Sequence, residues 1–102
     1  MKKAIQIDER DNVATVTSDV RSGESIEVLS PKGVVILRSK SLEVIPFGHK
    51  IALADLRKGN SIIKYGERIG LASKSIKIGR WVHTHNAESA VVPTSEFKVE
   101  DK

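Results

Sequence analysis

The chain contains no cysteine. That excludes a disulfide framework, a thiolate metal site and a cysteine nucleophile. Rings are almost as scarce: one Trp, one Tyr and two Phe in 102 residues. Single-stranded nucleic acids are held on aromatic platforms, and many duplex readers use a basic helix. With few rings and no long basic helix in the pattern, a nucleic-acid partner is not expected. No apolar run approaches the roughly 20 residues of a membrane helix, so no membrane partner is expected either. The opening Met1-Lys2-Lys3-Ala4-Ile5-Gln6-Ile7-Asp8 is basic but has no apolar stretch behind it. It does not read as a secretory signal, and a cytoplasmic address is expected.

What remains is an ordinary globular composition, 39% apolar and 29% charged, of a length that suits one domain. The formal net charge is +4, and its placement is uneven. Between Ile45 and Asn86 stand Lys50, Arg57, Lys58, Lys64, Arg68, Lys74, Lys77 and Arg80, against only Asp55 and Glu67. A locally cationic surface favours an anionic partner, either a small carboxylate or an acidic protein face.

Strand signals dominate. Ala4 to Ile7 and Val13 to Thr17 alternate apolar and polar around a polar turn, which predicts a hairpin. Ile26 to Leu29 and Val34 to Leu37 flank Ser30-Pro31-Lys32-Gly33, a second hairpin turn. Leu42 to Ile45, His49 to Leu53, Ser61 to Tyr65, Arg68 to Ala72 and Arg80 to His85 are further short strand candidates. Helix evidence is confined to a single turn at Ala54 to Lys58, stopped by Gly59. The expected fold class is therefore all-β, a compact domain with at most one or two helical turns.

One pattern recurs: polar, aliphatic, basic, any, Gly, any, any, aliphatic. It fits Asp19 to Ile26, Asp55 to Ile62 and Ser75 to Val82. Each copy suits a short turn that inserts an aliphatic side chain into the core, bends at Gly and feeds a strand. The copies start 36 and 20 residues apart, so they do not form a solenoid. The domain is expected to span residues 1–93, with Val91-Val92-Pro93 as a last edge strand or packed extension and 94–102 as a polar tail.

The three histidines concentrate in two segments, Phe47 to Ala52 and Trp81 to Asn86. In a strand, residues i and i+2 share a face, so His83 and His85 would point at one ligand, with His49 as a third group. Imidazole can move a proton near neutral pH or bind a divalent metal. Equally, the pair could face solvent at a strand end while His49 caps a turn. Lys50 and Asn86 add an ammonium and an amide beside the histidines. Lys64 could pair with an anion and Tyr65 could donate a hydrogen bond, although a solvated Lys, a packed Tyr and a turn Gly66 account for that segment as well. Trp81 is expected to pack in the core beneath the histidines. No Gly-x-Ser-x-Gly elbow and no phosphate-binding glycine loop is present.

Four stretches bear a family likeness: Gly48-His49-Lys50-Ile51-Ala52-Leu53; Asp55-Leu56-x-x-Gly59; Ile63-Lys64-Tyr65-Gly66-Glu67-x-Ile69-Gly70-x-Ala72; and Ile76-x-x-Gly79-x-x-Val82-His83-x-His85-Asn86. Together, from about Asp11 to Asn86, they resemble the SAF-type N-terminal domain of altronate and galactarate dehydratases and the small subunit of sulfolactate sulfo-lyase. The resemblance implies a β-clip fold. It implies a small, accessory subunit of a hydroxy-acid lyase, with a large catalytic subunit as partner and an anionic sugar acid or related hydroxy acid as substrate. It further implies a divalent metal, iron(II) being the usual one, held mainly by the large subunit. On this reading His49, His83 and His85 are the candidate catalytic groups, His83 and His85 the candidate metal ligands, and Lys50, Lys64, Tyr65 and Asn86 the candidate substrate-binding groups. The alternative is a non-catalytic β-clip module that binds a carbohydrate or acidic ligand. A third is an interaction protein with an incidental polar cluster.

Overall fold

A computed structural model describes residues 1–89. The edge strand or extension expected at Val91 to Pro93 and the polar tail 94–102 lie outside the described residues. Nine strands run in order: β1 Lys2–Ile5, β2 Val13–Val16, β3 Ser25–Leu29, β4 Val35–Lys40, β5 Lys50–Ala52, β6 Ser61–Lys64, β7 Glu67–Ala72, β8 Trp81–Val82 and β9 Ala87–Ser89. They form a six-stranded sheet ordered β4-β3-β1-β2-β5-β8 and a three-stranded sheet ordered β6-β7-β9. No helix occurs among the described residues, and none is long and apolar enough to cross a membrane. The all-β expectation holds.

Both predicted hairpins form, β1 with β2 and β3 with β4. Alternation did not reveal that β1 also pairs with β3 in parallel. Three local expectations fail. Leu42 to Ile45 is not a strand; only Ile45 pairs, in a single bridge to Val20. Ala54 to Lys58 forms no helical turn, because Leu56 bridges to Ile76 instead. Arg80 to His85 shortens to Trp81–Val82, after which the chain turns.

Alternation along the large sheet serves two cores. Ala14, Val16 and Ile51 face one cluster with Ala4, Ile26 and Val28. Their neighbours Val13, Ala52 and Val82 face the other, with Leu56, Ile62, Ala72 and Ile76. Strands buried on both faces need apolar residues at consecutive positions. Val13-Ala14 and Ile51-Ala52 supply them.

The repeated pattern is real and has four copies, not three. The additional copy is Ile45 to Gly48, disguised by Pro46 and Phe47. In each unit the aliphatic residue, Val20, Ile45, Leu56 or Ile76, is buried. In each, the amide following the glycine donates to the carbonyl three residues back: Glu24 to Arg21, His49 to Pro46, Asn60 to Arg57, and Arg80 to Lys77. The units pair two by two, through Val20 with Ile45 and Leu56 with Ile76. The same side-chain tie recurs in both pairs: Phe47 N–H donates to Asp19 Oδ1 and Ile78 N–H to Asp55 Oδ1, each at 2.8 Å. The core of the fold is thus two related paired-turn modules.

The fourth unit's glycine is the most constrained. Gly79 has φ of +92°, and a Cβ there would collide with the Lys40 carbonyl oxygen. Gly59 has φ of +91° but open space around it. Gly59→Ala should therefore cost only backbone strain, about 1–2 kcal/mol. Gly79→Ala should cost clearly more, since a backbone atom must also move. Urea unfolding of the two variants measures the difference; equal losses would mean that the Lys40 contact relaxes freely.

Candidate functional site

The candidate site lies at the β8 edge of the large sheet. Its first part is a cluster of four rings. Trp81 pairs across from Ile51, so its indole falls on the face of the first core and packs against it. His49, two residues before Ile51, reaches the same face. Trp81 Nε1–H donates to His49 Nδ1 at 3.3 Å. The His83 ring stacks on Trp81 with centroids 5.2 Å apart and planes 15° from parallel, and meets His49 edge-on at 5.0 Å. The His85 ring lies tilted against Trp81 at 5.4 Å. Trp81 is half-buried and forms the hub of this cluster, a role that its expected place in the core did not suggest.

His83 and His85 do not sit in a strand. They belong to a turn closed by Asn86 N–H donating to the His83 carbonyl. Asn86 is buried, and both ends of its amide are engaged: Oδ1 accepts from His83 N–H at 2.9 Å, and Nδ2 donates to the Trp81 carbonyl at 2.7 Å. The side chain expected to bind substrate is occupied in shaping the turn that presents the histidines.

Because the motif turns, its two imidazoles part company. His83 and Thr84 line a groove of about 260 Å³ with Lys50, Ile62, Ile69 and Val82. His85 lines a different depression beside Lys74, Lys77 and Arg80. The two rings thus come from a turn rather than from one face of a strand, although both contact Trp81. Among the described residues, no group of three or more His, Cys, Asp or Glu side chains could hold a metal ion. His49 already accepts from Trp81, and His83 and His85 line separate depressions, so this donor set does not fit a metal held by the chain itself.

Lys50 occupies the opposite face from His49. It pairs across from Thr15 and Val82, and so points toward the second sheet. There it meets the field of Lys64, on the β6–β7 hairpin. Burial, and then the Lys64 charge, holds the Lys50 ammonium below the ordinary lysine range. His83, at the sheet end, is within reach of both faces. Burial, then the positive fields of His49, Lys50 and His85, lowers its pKa. Both causes favour the neutral imidazole, a proton acceptor, beside an ammonium suited to a carboxylate.

Tyr65 is not packed. It is exposed, with φ of +59°, and with Gly66 forms the tight turn of the β6–β7 hairpin. Lys64 Nζ lies 5.0 Å from its ring centroid. Asp11 holds this turn: its buried carboxylate accepts from Tyr65 N–H at 3.1 Å and Gly66 N–H at 2.8 Å. Asn12 continues the tie, accepting from Ile63 N–H and donating to the Ser61 carbonyl. Neither residue stood out in the sequence, where Asp8 to Asn12 read only as a polar turn. Side chains of this type bind nearby backbone routinely; here the backbone they bind is some 50 residues away.

Sequence comparison now bears on this arrangement. The family profile described as "Altronate/galactarate dehydratase SAF domain" matches residues 2–90. The chain belongs to this SAF-domain family. Altronate dehydratase of Bacillus subtilis (strain 168) is 40% identical over 92 residues, covering 87% of this chain. Altronate dehydratase of Escherichia coli (strain K12) is 35% identical over 94 residues, or 92% of the chain. The (2R)-sulfolactate sulfo-lyase subunit alpha of Paracoccus pantotrophus is 47% identical over 45 residues, covering 44% of this chain and 67% of that subunit. The matched part is only 17% and 18% of the two altronate dehydratases. The SAF domain is therefore a small fraction of the proteins in which it is found at greatest length.

Two outcomes are expected of the SAF domain's ring cluster. In an NMR pH titration, the His83 imidazole should titrate below the usual histidine value of 6.5, and Lys50→Met should move it upward by removing a positive neighbour. A midpoint at or above 6.5 in the unmodified chain would contradict the described surroundings. Asn86→Ala, which leaves the Trp81 carbonyl and the His83 amide without their partner, should lower unfolding stability by about 1–3 kcal/mol.

Proposed function

We propose that this chain is the accessory subunit of a hydroxy-acid lyase. It would present His83, His49 and Lys50 to a site that a larger catalytic polypeptide completes. The observation that carries this reading is His83, stacked on Trp81, lining one groove together with Lys50. Elimination from a hydroxylated carboxylate requires a group that binds the carboxylate, and groups that accept and return protons. Lys50, with Lys64 beyond it, supplies positive charge for the carboxylate. His83 supplies an imidazole that can take or give a proton at neutral pH, while His49, held through Trp81, fixes the ring arrangement.

The relatives' names supply the substrate class: an altronate- or galactarate-type sugar acid, or a sulfolactate-type hydroxy acid. A divalent metal, iron(II) by family resemblance, would be held by the larger polypeptide, since the described residues offer no complete ligand set. Two features support a protein partner. The groove is open to solvent along this small domain, whereas such chemistry gains from excluding water. Moreover, Phe47 and Tyr65 are 66% and 61% exposed and flank one depression with Ile5 and Ile7. Exposed apolar patches of this kind commonly mark protein contacts.

The test combines the purified chain with a large lyase polypeptide of the same family from the same genome, iron(II), and altronate, galactarate or sulfolactate in turn. No turnover is expected from the chain alone. With the partner, His83→Ala and Lys50→Met should each lower turnover at least about tenfold, the low end for losing a positioned proton-transfer or binding group. Full activity in both variants would remove these groups from the mechanism. Sugar-acid binding without turnover in any combination would instead support the non-catalytic module.

A further inference from the structure

The second depression, into which His85 rather than His83 looks, is about 360 Å³ and does not share the Lys50 groove. Its rim carries Lys74, Lys77 and Arg80, all exposed, with Ser75, His85 and buried Asn86 completing the lining. Among the described residues, the one acid in its lining is Glu43. Its Oε2 accepts Trp81 N–H at 3.0 Å and lies 3.9 Å from Arg80 Nη1. Three cations against one carboxylate leave the described lining of the depression with a charge of +2.

The repeat shows that this charge is a departure from the fold's own rule. In the first and third units, the residue after the glycine caps its own turn: Glu24 Oε1 accepts Arg21 N–H, and Asn60 Oδ1 accepts Arg57 N–H. A basic residue opens each of those turns and an acceptor closes it. In the fourth unit Lys77 opens the turn and Arg80 closes it. The hydrogen bond between their backbones sets two basic residues at the ends of one four-residue turn, and Lys74 and His85 line the same depression. Like charges gathered around one depression repel, and an anion between them relieves the repulsion.

From this we propose that the depression is a second anion-binding site, separate from the Lys50 groove, for a doubly charged oxyanion group such as a phosphate monoester or a dicarboxylate. The net +2 matches a dianion better than a monocarboxylate, and phosphate monoesters carry close to that charge at neutral pH. Lys77 and Arg80 grip the anion from the two ends of the turn. Lys74 closes one flank, and His85 Nδ1 or Nε2 offers a further donor. Glu43 orients Arg80 and leaves its guanidinium free to bind. The site stands whether or not the chain serves a lyase.

The experiment is a two-dimensional amide NMR titration of the full chain at low ionic strength with inorganic phosphate, malonate and acetate separately. Saturable shifts confined to Ser75 to Arg80 and His85 to Asn86 are expected with phosphate, malonate or both, and only weak, unsaturated shifts with acetate. The tighter of the two dianions identifies the source. Lys77→Gln or Arg80→Gln should each weaken binding about fivefold, and the double variant should abolish saturation. Lys32→Gln, a distant cation, should change nothing. Because Lys77 and Arg80 are exposed, the remaining amide spectrum and the unfolding midpoint should stay as in the unmodified chain. The proposal is overturned if acetate binds as well as the dianions, if shifts spread over all basic residues, or if the double variant still saturates. It is also overturned if neither dianion saturates while a poly-glutamate peptide does, which would make the depression a contact for an acidic protein face.

Discussion

A buried carboxylate survives in a small domain only if its oxygens are fully engaged. Asp11 meets that condition by drawing three amides to itself, from Asp8, Tyr65 and Gly66. Two of the three come from the far end of the second sheet. Asn12 doubles the tie with its own pair of bonds to β6. This corner fixes the β6–β7 hairpin against the large sheet. It therefore decides where Lys64 stands relative to Lys50, and how wide the Lys50 groove opens. Each hydrogen bond to the charged Asp11 is of the kind whose loss costs about 1.5–3 kcal/mol. The second core closes under the same constraint, because Ile62 reaches it only with the hairpin in place.

Around that corner the domain is built twice from one device. An aliphatic residue enters the core, a glycine turns the chain, and a strand leaves. Repetition sets a standard against which each copy's deviations acquire meaning. In the first and third units Glu24 and Asn60 cap their turns, so these positions serve the fold. In the second and fourth units the same position holds His49 and Arg80. Freed from capping, these residues flank Trp81, one within the ring cluster and one on the cationic rim. The two positions that the repeat leaves uncapped thus lie at the candidate site and at the cationic depression.

Much of this was open to reading and some was not. The alternation of Val13 to Val16 and the Ser30 to Gly33 turn announced their hairpins, because both signals are local. The gathering of His49 with His83 followed from their segments' shared likeness to one family, and their rings are indeed in contact. The strand expected over Arg80 to His85 stops at Val82. The alternating pattern is compatible with one, but Asn86 bends the chain by binding Trp81 and His83 at once. A single Asn after a short apolar run does not announce that on its own. The second repeat unit is masked in the sequence because Pro46 and Phe47 replace the basic and variable positions, although the spacing from Ile45 to Gly48 is intact.

The sequence by itself determined the all-β class, the turn units, the family and the cationic stretch from Lys50 to Arg80. Each rests on residues within a few positions of one another, where sterics, alternation and charge act without knowledge of the rest of the chain. Only the tertiary structure decided that β1 runs parallel to β3, that Asp11 serves a turn at Tyr65, and that His83 and His85 face different depressions. Those outcomes depend on contacts between segments far apart in the chain. Their energies come from burying groups that the local pattern leaves equally satisfied by water, so nothing short of the assembled cores selects among them.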